Sequence, residues 1–318
     1  MSLAVLVTGG GGYLGSMLCL ELLAAGHRVT VIDNGSGAGS GLLSLLSMPG
    51  FTLTLGDVRS PGTVKRVAQN IDVVVHLAAI VGQPACDADP IGATSVNLDG
   101  VEIVAESVPD GKLLIFASSS SVYGKALVDF CDEKTTPNPL SLYSELKLKA
   151  EEIVLTRPES LVVRPVTLYG SSGSMRYDLL PHQMVREGLD GGVIAVYEPE
   201  RLRSFLHVRD ASRSLSHLAE CDPFGIAGLR PSERVVNLAD PMSHISKGDL
   251  GAMIAGILRC CVDVRTGYED PDERDYRVVS SSQLSPKLAR PMALGMGLRE
   301  VATVLRFTKS ISSAPKVR

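Results

Sequence analysis

The first half of the chain alternates short apolar runs with longer segments of helical spacing. The runs predicted as strands are 3–7, 28–33, 51–57, 72–79, 112–119 and 161–166. Helical spacing fills the intervals at 13–25, 61–69, 91–107 and 139–156. Strands that alternate with helices form parallel sheets covered on both faces, and their crossovers are right-handed. The pattern therefore predicts an α/β protein with a doubly wound parallel sheet.

The pattern loosens after about residue 167, where Gly and Pro become denser and the apolar runs shorter. Further strands are predicted at 193–197, 204–208 and 235–239, and helices at 246–259 and 297–306. We expect a Rossmann-fold domain over residues 1–167 and a smaller C-terminal lobe over 168–318. Late sheet elements near 203–240 are expected to return to the first domain, because FLHVRD followed by a helix resembles another sheet unit.

Composition narrows the classes of partner. The 318 residues are 45% hydrophobic and 21% charged, with a net charge of −4, as in an ordinary globular protein. We expect no nucleic-acid partner, since there is no basic excess and no Trp for stacking. Apolar runs fall far short of the ~20 residues of a membrane helix. Six cysteines without a CxxC pair, and no signal peptide, predict reduced thiols and a cytoplasmic location. We assign no metal ligands.

The stretch VTGGGGYLG, residues 7–15, lies between a predicted buried strand and a helix. Gly9, Gly12 and Gly15 fit GxxGxxG, and Gly10 gives the overlapping GxGxxG. In this context the turn is typical of dinucleotide binding, because backbone N–H groups at a helix N-terminus favour a pyrophosphate. Asp33 ends the next strand and can accept hydrogen bonds from ribose hydroxyls while repelling a 2′-phosphate, which favours NAD over NADP. The alternative is a tight turn without a ligand.

The segment YSELK places Tyr143 and Lys147 four residues apart, on one face of a predicted helix. A free tyrosine has a pKa near 10, and a base at neutral pH needs roughly 4 kcal/mol of preferential phenolate stabilisation. A neighbouring ammonium and a cationic nicotinamide ring can supply this stabilisation. The alternative is an exposed helical pair without function. The strand that ends in ASSSSVYG, upstream, can add a hydroxyl that shares the substrate proton.

These motifs together resemble the extended short-chain dehydrogenase/reductase family. The resemblance rests on GxxGxxG with Asp33, GDV at 56–58, HLAA at 76–79, SSSSVYG at 118–124 and YxxxK. Within this family the chain is similar to the nucleotide-sugar epimerases and dehydratases. RPVTLYG at 164–170 and RSFLHVRD at 203–210 extend the likeness over most of the chain, and DERDYRV adds to it weakly.

The resemblance implies roles for individual residues. Tyr143 would be the acid/base, Lys147 would bind the nicotinamide ribose and lower the tyrosine pKa, and Ser119 would be their hydroxyl partner. The implied cofactor-binding residues are Gly9, Gly12, Tyr13, Leu14, Gly15, Asp33, Asn34, Asp57, Val58, Leu77, Ala78, Ala79, Tyr143 and Lys147. The implied residues for a nucleotide-diphosphate sugar are Ser119, Ser120, Tyr143, Thr167, Arg203 and Arg277, with Arg274 as the alternative to Arg277.

Departures from the family pattern bear on the reaction. The dehydratases carry an Asp-Glu pair where this chain has Ser120 and Ser121, and the decarboxylases keep a Glu at the second position. Serine is not a general acid or base near neutral pH without an activating partner. Thr167 replaces an Asn that contacts the diphosphate in many epimerases. The expected reaction is therefore NAD-dependent C4 epimerisation of a nucleotide-diphosphate sugar, with a transient keto-sugar and no net redox change.

Other interpretations stay open at this point. The chain could be a keto-sugar nucleotide reductase, a dehydratase, a C3/C5 epimerase using the Cys86 thiol, or a non-catalytic NAD-binding protein. For Cys86 a small packing role is favoured, and for His76 and His207 a structural role. Segment 174–187 is expected to wall the nucleotide site, with Tyr197 against the base. The resemblance also implies a homodimer through helices 91–107 and 139–156.

Overall fold

The structure, a computed structural model, describes residues 2–37, 40–265, 275–282, 284 and 291–313. Strands occur along the described chain from Ala4 to Val278. In the described part of the chain they are β1 (Ala4–Thr8), β2 (Arg28–Asp33), β3 (Phe51–Leu55), β4 (Val73–His76), β5 (Leu113–Ala117), β6 (Lys125–Cys131), β7 (Ser160–Pro165), β8 (Thr167–Tyr169), β9 (Val193–Tyr197), β10 (Leu202–His207), β11 (Val235–Leu238), β12 (His244–Ser246), β13 (Cys261–Arg265) and β14 (Asp275–Val278).

The helices of the same residues alternate with these strands. They are α1 (Tyr13–Ala24), α2 (Pro61–Ala68), α3 (Gln83–Ala88), α4 (Pro90–Thr94), α5 (Gly100–Ser107), α6 (Leu142–Leu155), α7 (Leu180–Gly191), α8 (Val208–Ala219), α9 (Pro223–Ala227), α10 (Lys247–Leu258) and α11 (Leu294–Ser313). A π-helical segment, Ser95–Asp99, joins α4 to α5. Short 3-10 turns occur at Ser40–Leu42, Ser120–Tyr123 and Pro231–Glu233. Among the described residues, no helix combines the length and apolarity that crossing a membrane requires.

Seven parallel strands form the main sheet, in the order β11-β7-β5-β4-β1-β2-β3. Strand β1 illustrates its burial, because successive side chains of a strand point to opposite faces. Val5 and Val7 pack in one apolar cluster with α1 and α8, while Leu6 packs in a second cluster with α2, α5 and α6. A continuous apolar run is therefore the signature of a central strand covered on both faces. The doubly wound Rossmann fold is confirmed.

The strand order reverses between β1 and β4, which are neighbours in the sheet although β2 follows β1 in sequence. In such sheets the loops at the carboxyl ends of the two strands diverge and leave a crevice that binds ligands. The glycine turn after β1 and the HLAA segment at the end of β4 flank this crevice. The fold therefore places the predicted cofactor motifs at the expected edge of the sheet.

The later part of the chain has an apolar cluster of its own and smaller sheets. Strands β8, β10 and β12 form one sheet, β9 pairs with β13, and β14 pairs with β6. Side chains of α7, α10 and α11 fill the cluster around Phe205 and Ile254. Within the range 203–240, β11 joins the main sheet beside β7, and α8 covers the sheet against α1. Strand β10, in contrast, pairs outside the main sheet.

Several strands end earlier than the apolar pattern predicts. The predicted strand 72–79 ends at His76, and 112–119 ends at Ala117. At the first of these ends the hydroxyl of Thr8 accepts hydrogen bonds from the backbone N–H groups of Leu77 and Ala78, both 3.2 Å away. The Thr8 hydroxyl thus caps the end of β4, while the N–H of Leu77 also keeps a ladder bond to the carbonyl of Thr8 at 3.1 Å. The residues of the HLAA and SSSS motifs consequently lie in loops that face the crevice.

The C-terminal helix α11 is fastened to the rest of the molecule through the carboxylate of Glu300. It accepts a hydrogen bond from the backbone N–H of Ser171 at 3.0 Å and another from the Ser171 hydroxyl. His207 Nε2 lies 3.5 Å from Glu300 Oε1. The side chain of His207 and then the donors of Ser171 lower the pKa of Glu300 from 4.5 to about 2. The contact therefore stabilises the fold only while the carboxylate is ionised.

We expect this contact to appear as acid sensitivity of the fold. Because the pKa of Glu300 is lower in the folded state, its stabilisation is complete above about 4.5 and is lost as the pH falls toward 2. The wild-type chain should lose roughly 2 kcal/mol more than Glu300→Gln across this interval. Denaturant unfolding at several pH values measures the difference. Parallel pH dependences of the two proteins would contradict the assignment.

Candidate active site

Two glycines of the turn after β1 lie where a larger residue cannot be placed. Gly9 has a φ of +69°, and a Cβ on it would lie 2.8 Å from the backbone N and Cα of Ala78. A Cβ on Gly15 would lie 2.3 Å from the carbonyl oxygen of Gly9. Glycine at these positions thus lets the turn fold back on itself and lets β1 approach the loop after β4.

The turn leads directly into helix α1, whose N-terminus is suited to an anion. Gly12 is the N-cap residue and contributes no side-chain cap, and the first turn contains no acidic residue. Leu14 is half-buried at this end of the helix. The backbone N–H groups and the positive end of the helix dipole here fit a pyrophosphate. The residues present therefore fit the phosphates of a dinucleotide.

Tyr13, predicted to bind the cofactor, turns its buried side chain toward the later part of the chain. Its hydroxyl donates to the carbonyl of Gly170 at 2.8 Å, and its ring meets His182 edge-on at 6.1 Å. The Ser172 hydroxyl also donates to the carbonyl of Tyr13, at 2.6 Å. Tyr13 therefore ties the glycine turn to the segment after β8, and a direct cofactor contact of this residue stays a prediction.

Asp33 lies beside the glycine turn, at the end of β2. Its carboxylate accepts a hydrogen bond from the backbone N–H of Gly11 at 2.8 Å and one from Gly35, also at 2.8 Å. Asn34 follows it and caps the same loop by accepting from the N–H of Ser36. The carboxylate is thus held at the mouth of the crevice, where the ribose of a dinucleotide on the glycine turn would lie.

Asp33→Ala should weaken NAD binding and reduce discrimination against NADP. The substitution removes both the ribose hydrogen-bond acceptor and the charge that repels a 2′-phosphate. The loss of two ligand hydrogen bonds to a carboxylate corresponds to about 2–3 kcal/mol, or roughly 30- to 150-fold in Kd. Titration with each dinucleotide measures the change. An unaltered NAD/NADP ratio would remove the basis for placing the ribose at Asp33.

Asp57 and Val58, predicted to flank adenine, follow β3 at the carboxyl edge of the sheet, as the glycine turn follows β1. The side chain and backbone of Arg59 donate to Asp57, and this bonding lowers the pKa of Asp57 to about 2. Arg59 is the first basic residue after Asp33 in the chain. In this structure Arg59 is paired with Asp57. Val58 is buried, and its side chain packs where Gly100 leaves space.

The loop after β4 is fixed by hydrogen bonds to the side chain of Thr8, the last residue of β1. Leu77, Ala78 and Ala79 are all half-buried along the crevice. The hydroxyl of Thr8, which accepts from the N–H groups of the first two, is also hydrogen-bonded to Nδ1 of His76 at 2.6 Å. Burial, followed by the charge of Lys147, lowers the pKa of His76 to about 3. His76 is therefore a neutral structural residue.

Asn97 is a residue of this site that the sequence patterns do not reveal. It lies in the π-helical segment between α4 and α5, and its amide donates to the carbonyl of Ile80 and accepts from the N–H of Ile80, both at 2.9 Å. A π-turn displaces one residue from the helical ladder, which is common at functional sites. The predicted helix 91–107 thus contains an irregular turn, whose function is to fix the crevice loop.

The pair Tyr143 and Lys147 is buried, so the exposed-pair alternative is excluded. Helix α6 begins with a capping box in which the side chains of Ser141 and Ser144 satisfy each other's backbone N–H groups. Lys147 Nζ donates to the carbonyl of Ala117 at 2.8 Å and lies 6.0 Å from the centre of the Tyr143 ring. The N-cap of α6 therefore places both side chains against the end of β5.

The ammonium of Lys147 also lies 4.7 Å above the ring of Phe116. Burial lowers the pKa of Lys147 to about 8, although Cys86 and Glu151 act in the opposite direction. The ammonium is therefore mostly protonated at neutral pH, although its pKa lies only slightly above neutrality. A positive group at this distance favours the phenolate form of Tyr143.

Ser119, Ser120 and Ser121 follow the end of β5, and α6 packs against the 3-10 turn that they enter. The hydroxyl of Ser119 accepts from the N–H of Ser121 at 3.1 Å and caps this turn. Ser120 Oγ lies 3.4 Å from the hydroxyl of Tyr276, a contact absent from the sequence predictions. Ser121 Oγ is buried without a hydrogen-bond partner among the described residues. This wall of the crevice thus offers hydroxyls rather than carboxylates.

The residues predicted for the diphosphate of the sugar nucleotide come from the smaller sheets. Thr167 is half-buried on β8, and β8 pairs with β10, which carries Arg203. Arg203 is almost fully buried, and its Nη1 donates to the carbonyl of Leu202 at 2.9 Å. The guanidinium of Arg277 lies 4.0 Å over the ring of Phe130. Its alternative, Arg274, lies outside the described residues.

Arg176 is a further charged residue at this site, within the segment 174–187 that was expected to wall the nucleotide. Its positive charge acts on the hydroxyls of both Tyr143 and Tyr13, and Asp178 holds the guanidinium, with Nε to Oδ1 at 3.0 Å. His182 accepts from the N–H of Gly170 and donates through Nδ1 to the carbonyl of Arg176 at 2.5 Å. No periodic signal marks such a residue in the sequence.

Cys86 lies next to the Tyr143 side chain in a small apolar cluster. Its thiol donates to the carbonyl of Ile80 at 3.5 Å. Burial, followed by the charge of Asp87, raises the pKa of Cys86. The thiol is therefore protonated and packed, which favours the structural interpretation over an acid/base role.

Comparison with known proteins places this geometry in a family. Residues 5–225 match the sequence profile described as "NAD dependent epimerase/dehydratase family". UDP-glucose 4-epimerase of Yersinia pestis is 32% identical over 158 residues, which cover 47% of this chain and 47% of the relative. UDP-N-acetyl-alpha-D-glucosaminuronate decarboxylase of Bacillus cytotoxicus is 30% identical, covering 65% of this chain and 68% of the relative. The chain spans about half the length of the first curated relatives it matches.

Solved structures agree over nearly the whole chain. The structure described as MoeE5 in complex with UDP-glucose and NAD has a TM-score of 0.77 at 27% identity and covers 96% of this chain and 99% of that chain. UDP-glucuronic acid 4-epimerase of Bacillus cereus has a TM-score of 0.81 at 23% identity, with 96% and 99% covered, and shows the fold alone. The glycine turn, the α1 N-terminus and Asp33 fit the cofactor in the family's description. The chain therefore belongs to the NAD-dependent epimerase/dehydratase family, the nucleotide-sugar group of the extended short-chain dehydrogenases/reductases, and its cofactor is NAD.

Proposed function

We propose that this protein epimerises a nucleotide-diphosphate sugar at C4. One observation carries the proposal: the Tyr143–Lys147 pair is buried against the end of β5, and the residues that follow this end are Ser119, Ser120 and Ser121 rather than carboxylates. This set can move a hydroxyl proton. It lacks the second acid/base group that elimination of water requires, since serine does not titrate near neutral pH. Oxidation and re-reduction at one carbon is the reaction that these groups suit.

The chain's own residues handle the proton and the orientation. Tyr143, as phenolate, takes the proton of the sugar hydroxyl, and the ammonium of Lys147 stabilises the negative charge that precedes this transfer. The glycine turn and Asp33 would hold NAD, which would supply a reversible hydride acceptor for the same carbon while the keto-sugar turns its other face to it. Ser119 holds the sugar oxygen in the meantime. Because Tyr143 then returns the proton, no net redox change occurs.

Two arginines of the smaller sheets are proposed to hold the diphosphate. Arg203 and Arg277 are carried on adjacent parts of the second lobe, where Val278 N–H donates to the hydroxyl of Ser204 at 2.9 Å. A guanidinium fork suits phosphate oxygens, and Thr167 offers a further hydroxyl nearby on β8. Tyr197 and segment 174–187 remain the proposed wall around the nucleotide base.

Two alternative functions differ in their use of the cofactor. A keto-sugar nucleotide reductase would consume reduced cofactor stoichiometrically, and the position of Asp33 opposes the NADPH that such enzymes usually prefer. A non-catalytic NAD-binding protein has no use for a buried tyrosine beside a buried ammonium. Retention of NAD(H) through gel filtration supports the epimerase, whereas stoichiometric NADPH oxidation would favour the reductase.

The decisive experiment follows a panel of nucleotide-sugars by proton NMR in deuterated water. Inversion at C4 without deuterium uptake is the expected result, because the hydride returns from the cofactor rather than from solvent. Deuterium uptake at C3 or C5 would indicate enolisation by another base. Loss of water or of carbon dioxide would contradict the role given to Ser120 and Ser121 and indicate a dehydratase or a decarboxylase.

We further propose a cytoplasmic homodimer, paired through α5 and α6, two of the helices that cover one face of the main sheet. The exposed positions of α5 and α6 are mostly acidic: Glu102, Glu106, Glu145 and Glu152, with Lys149 among them. Two-fold pairing on this face would bring like charges together, so the dimer should strengthen as salt screens them. Sedimentation velocity at low and high salt measures this assembly.

A further inference from the structure

Helix α6 is hydrogen-bonded to the end of strand β5 at two successive residues. Lys147 donates to the carbonyl of Ala117, and one turn later Glu151 accepts a hydrogen bond from the hydroxyl of Ser118. The next residue of the strand end is Ser119. The spacing between the phenol on α6 and the hydroxyls after β5 is therefore set by these two contacts, of which only the first involves the proposed catalytic set.

Glu151 is itself held from a third element. Arg164 on β7 binds its carboxylate with two bonds, Nε to Oε1 at 2.9 Å and Nη2 to Oε2 at 2.6 Å, and both side chains are buried. The remaining donor, Nη1, reaches the hydroxyl of Tyr123 at 3.0 Å, and this hydroxyl donates to Asn237 on β11 at 2.8 Å. The carboxylate is thus fixed relative to three strands of the main sheet.

Glu151 is also the carboxylate closest in sequence to Lys147 on the same helical face, one turn away. The titratable and charged groups that act on Lys147 from the surrounding elements are Tyr143, Cys86, His76 and Glu151. His76 is neutral and Cys86 is a protonated thiol. Glu151, which is paired with Arg164, is the carboxylate among these groups, and it raises the pKa of Lys147 against the larger effect of burial.

We propose that Glu151 is the positioning residue of this site, which is held by Arg164 and Ser118 and fixes α6, with Tyr143 and Lys147, against the end of β5. The proposal rests on the proposed function for its kinetic consequence, but its structural part stands on the buried contacts alone. Glu151 touches neither cofactor nor substrate and acts through Lys147. One face of the helix then carries the three residues of the site, Tyr143, Lys147 and Glu151.

The test compares Glu151→Gln with the wild-type protein in its NAD-loaded form. Gln keeps the shape and the hydrogen-bond acceptor but removes the charge. The alkaline limb of the kcat profile, which reports Lys147, should move at least about one pH unit lower, while KM changes little. Independently of any sugar, the tyrosinate absorbance of Tyr143, obtained by difference from Tyr143→Phe, should require a higher pH to develop.

A matched control is the next residue of the same helix, since Glu152 is exposed. Glu152→Gln should leave both titrations in place. If Glu151→Gln fails to fold because Arg164 is left unpaired, the double variant Glu151→Leu/Arg164→Met removes both charges and retains packing. It should fold and displace the tyrosinate titration in the same direction but by a smaller amount, because the positive charge of Arg164 is removed together with the carboxylate.

The outcomes separate the two proposals. Unmoved titrations in a folded Glu151 variant, or equal shifts in Glu152→Gln, would overturn the positioning role. A moved tyrosinate titration in a protein that converts no nucleotide-sugar would support Glu151 while contradicting the epimerase. The kcat profile and the tyrosinate titration are both measured on the whole chain, so neither depends on an isolated part folding alone.

Discussion

Tyr143→Phe should abolish epimerisation while the protein still folds and retains NAD. The phenol is the only acid/base group proposed to contact the sugar hydroxyl, and its ring stays in place in the variant. Loss of a positioned acid/base is expected to lower kcat by roughly 10²- to 10⁴-fold. Turnover of the nucleotide-sugar identified by NMR measures the rate, and the absorbance of cofactor retained through gel filtration measures binding.

A second tyrosine provides the control. Tyr169 is also buried, and its hydroxyl donates to the carbonyl of Met292 at 3.3 Å, away from the proposed proton transfer. Tyr169→Phe should lose about 1 kcal/mol of stability and keep its activity. An active Tyr143→Phe enzyme would refute the acid/base role and, with it, the chemistry proposed for this crevice.

Gly15→Ala should disrupt the cofactor turn, the second large effect that we expect. The added methyl group would lie 2.3 Å from the carbonyl oxygen of Gly9 and 2.8 Å from the Cα of Gly10. Both are backbone atoms, so the turn itself must shift. We expect a loss of about 1–3 kcal/mol in the free energy of unfolding and loss of retained NAD. Chemical denaturation and gel filtration with NAD measure the two effects.

Gly256 is the matched helical control. It is exposed in α10, and a Cβ there meets nothing within 4 Å among the described residues. Gly256→Ala should therefore stabilise the protein by about 0.4–1 kcal/mol, through a smaller loss of backbone entropy, without affecting NAD. If both variants retained NAD equally, the close approach of α1 to the glycine turn would not be what the cofactor requires.

The elements that the sequence predicts well are those with a clear local signal. The predicted strands 28–33 and 193–197 coincide with β2 and β9, and the helix at 61–69 differs from α2 by one residue. Each has a local cause, such as an apolar run or the Pro at the start of α2. Short strands such as β8 and β12 were not predicted, because three residues carry too little periodicity and their pairing is long-range.

The residues of the site likewise divide into those with a local sequence signal and those placed by long-range contacts. Gly9, Gly15 and Asp33 are recognisable because a close turn and a following strand recur at fixed spacing. Asn97 and Arg176 are not, since their roles depend on which loop each meets after folding. The sequence also leaves open whether Tyr143 and Lys147 are exposed, because four-residue spacing on a helix is equally compatible with a solvated face.

The linear chain by itself determined a doubly wound sheet, a dinucleotide turn and a tyrosine–lysine pair, because each follows from periodicity or spacing within a few tens of residues. Only the tertiary structure decided that the pair is buried against the end of β5, that Ser120 meets Tyr276, and that Glu151 is clamped by Arg164. These contacts join residues from separate strands and helices. Their geometry depends on how parallel strands are ordered in the sheet, and no local pattern encodes that order.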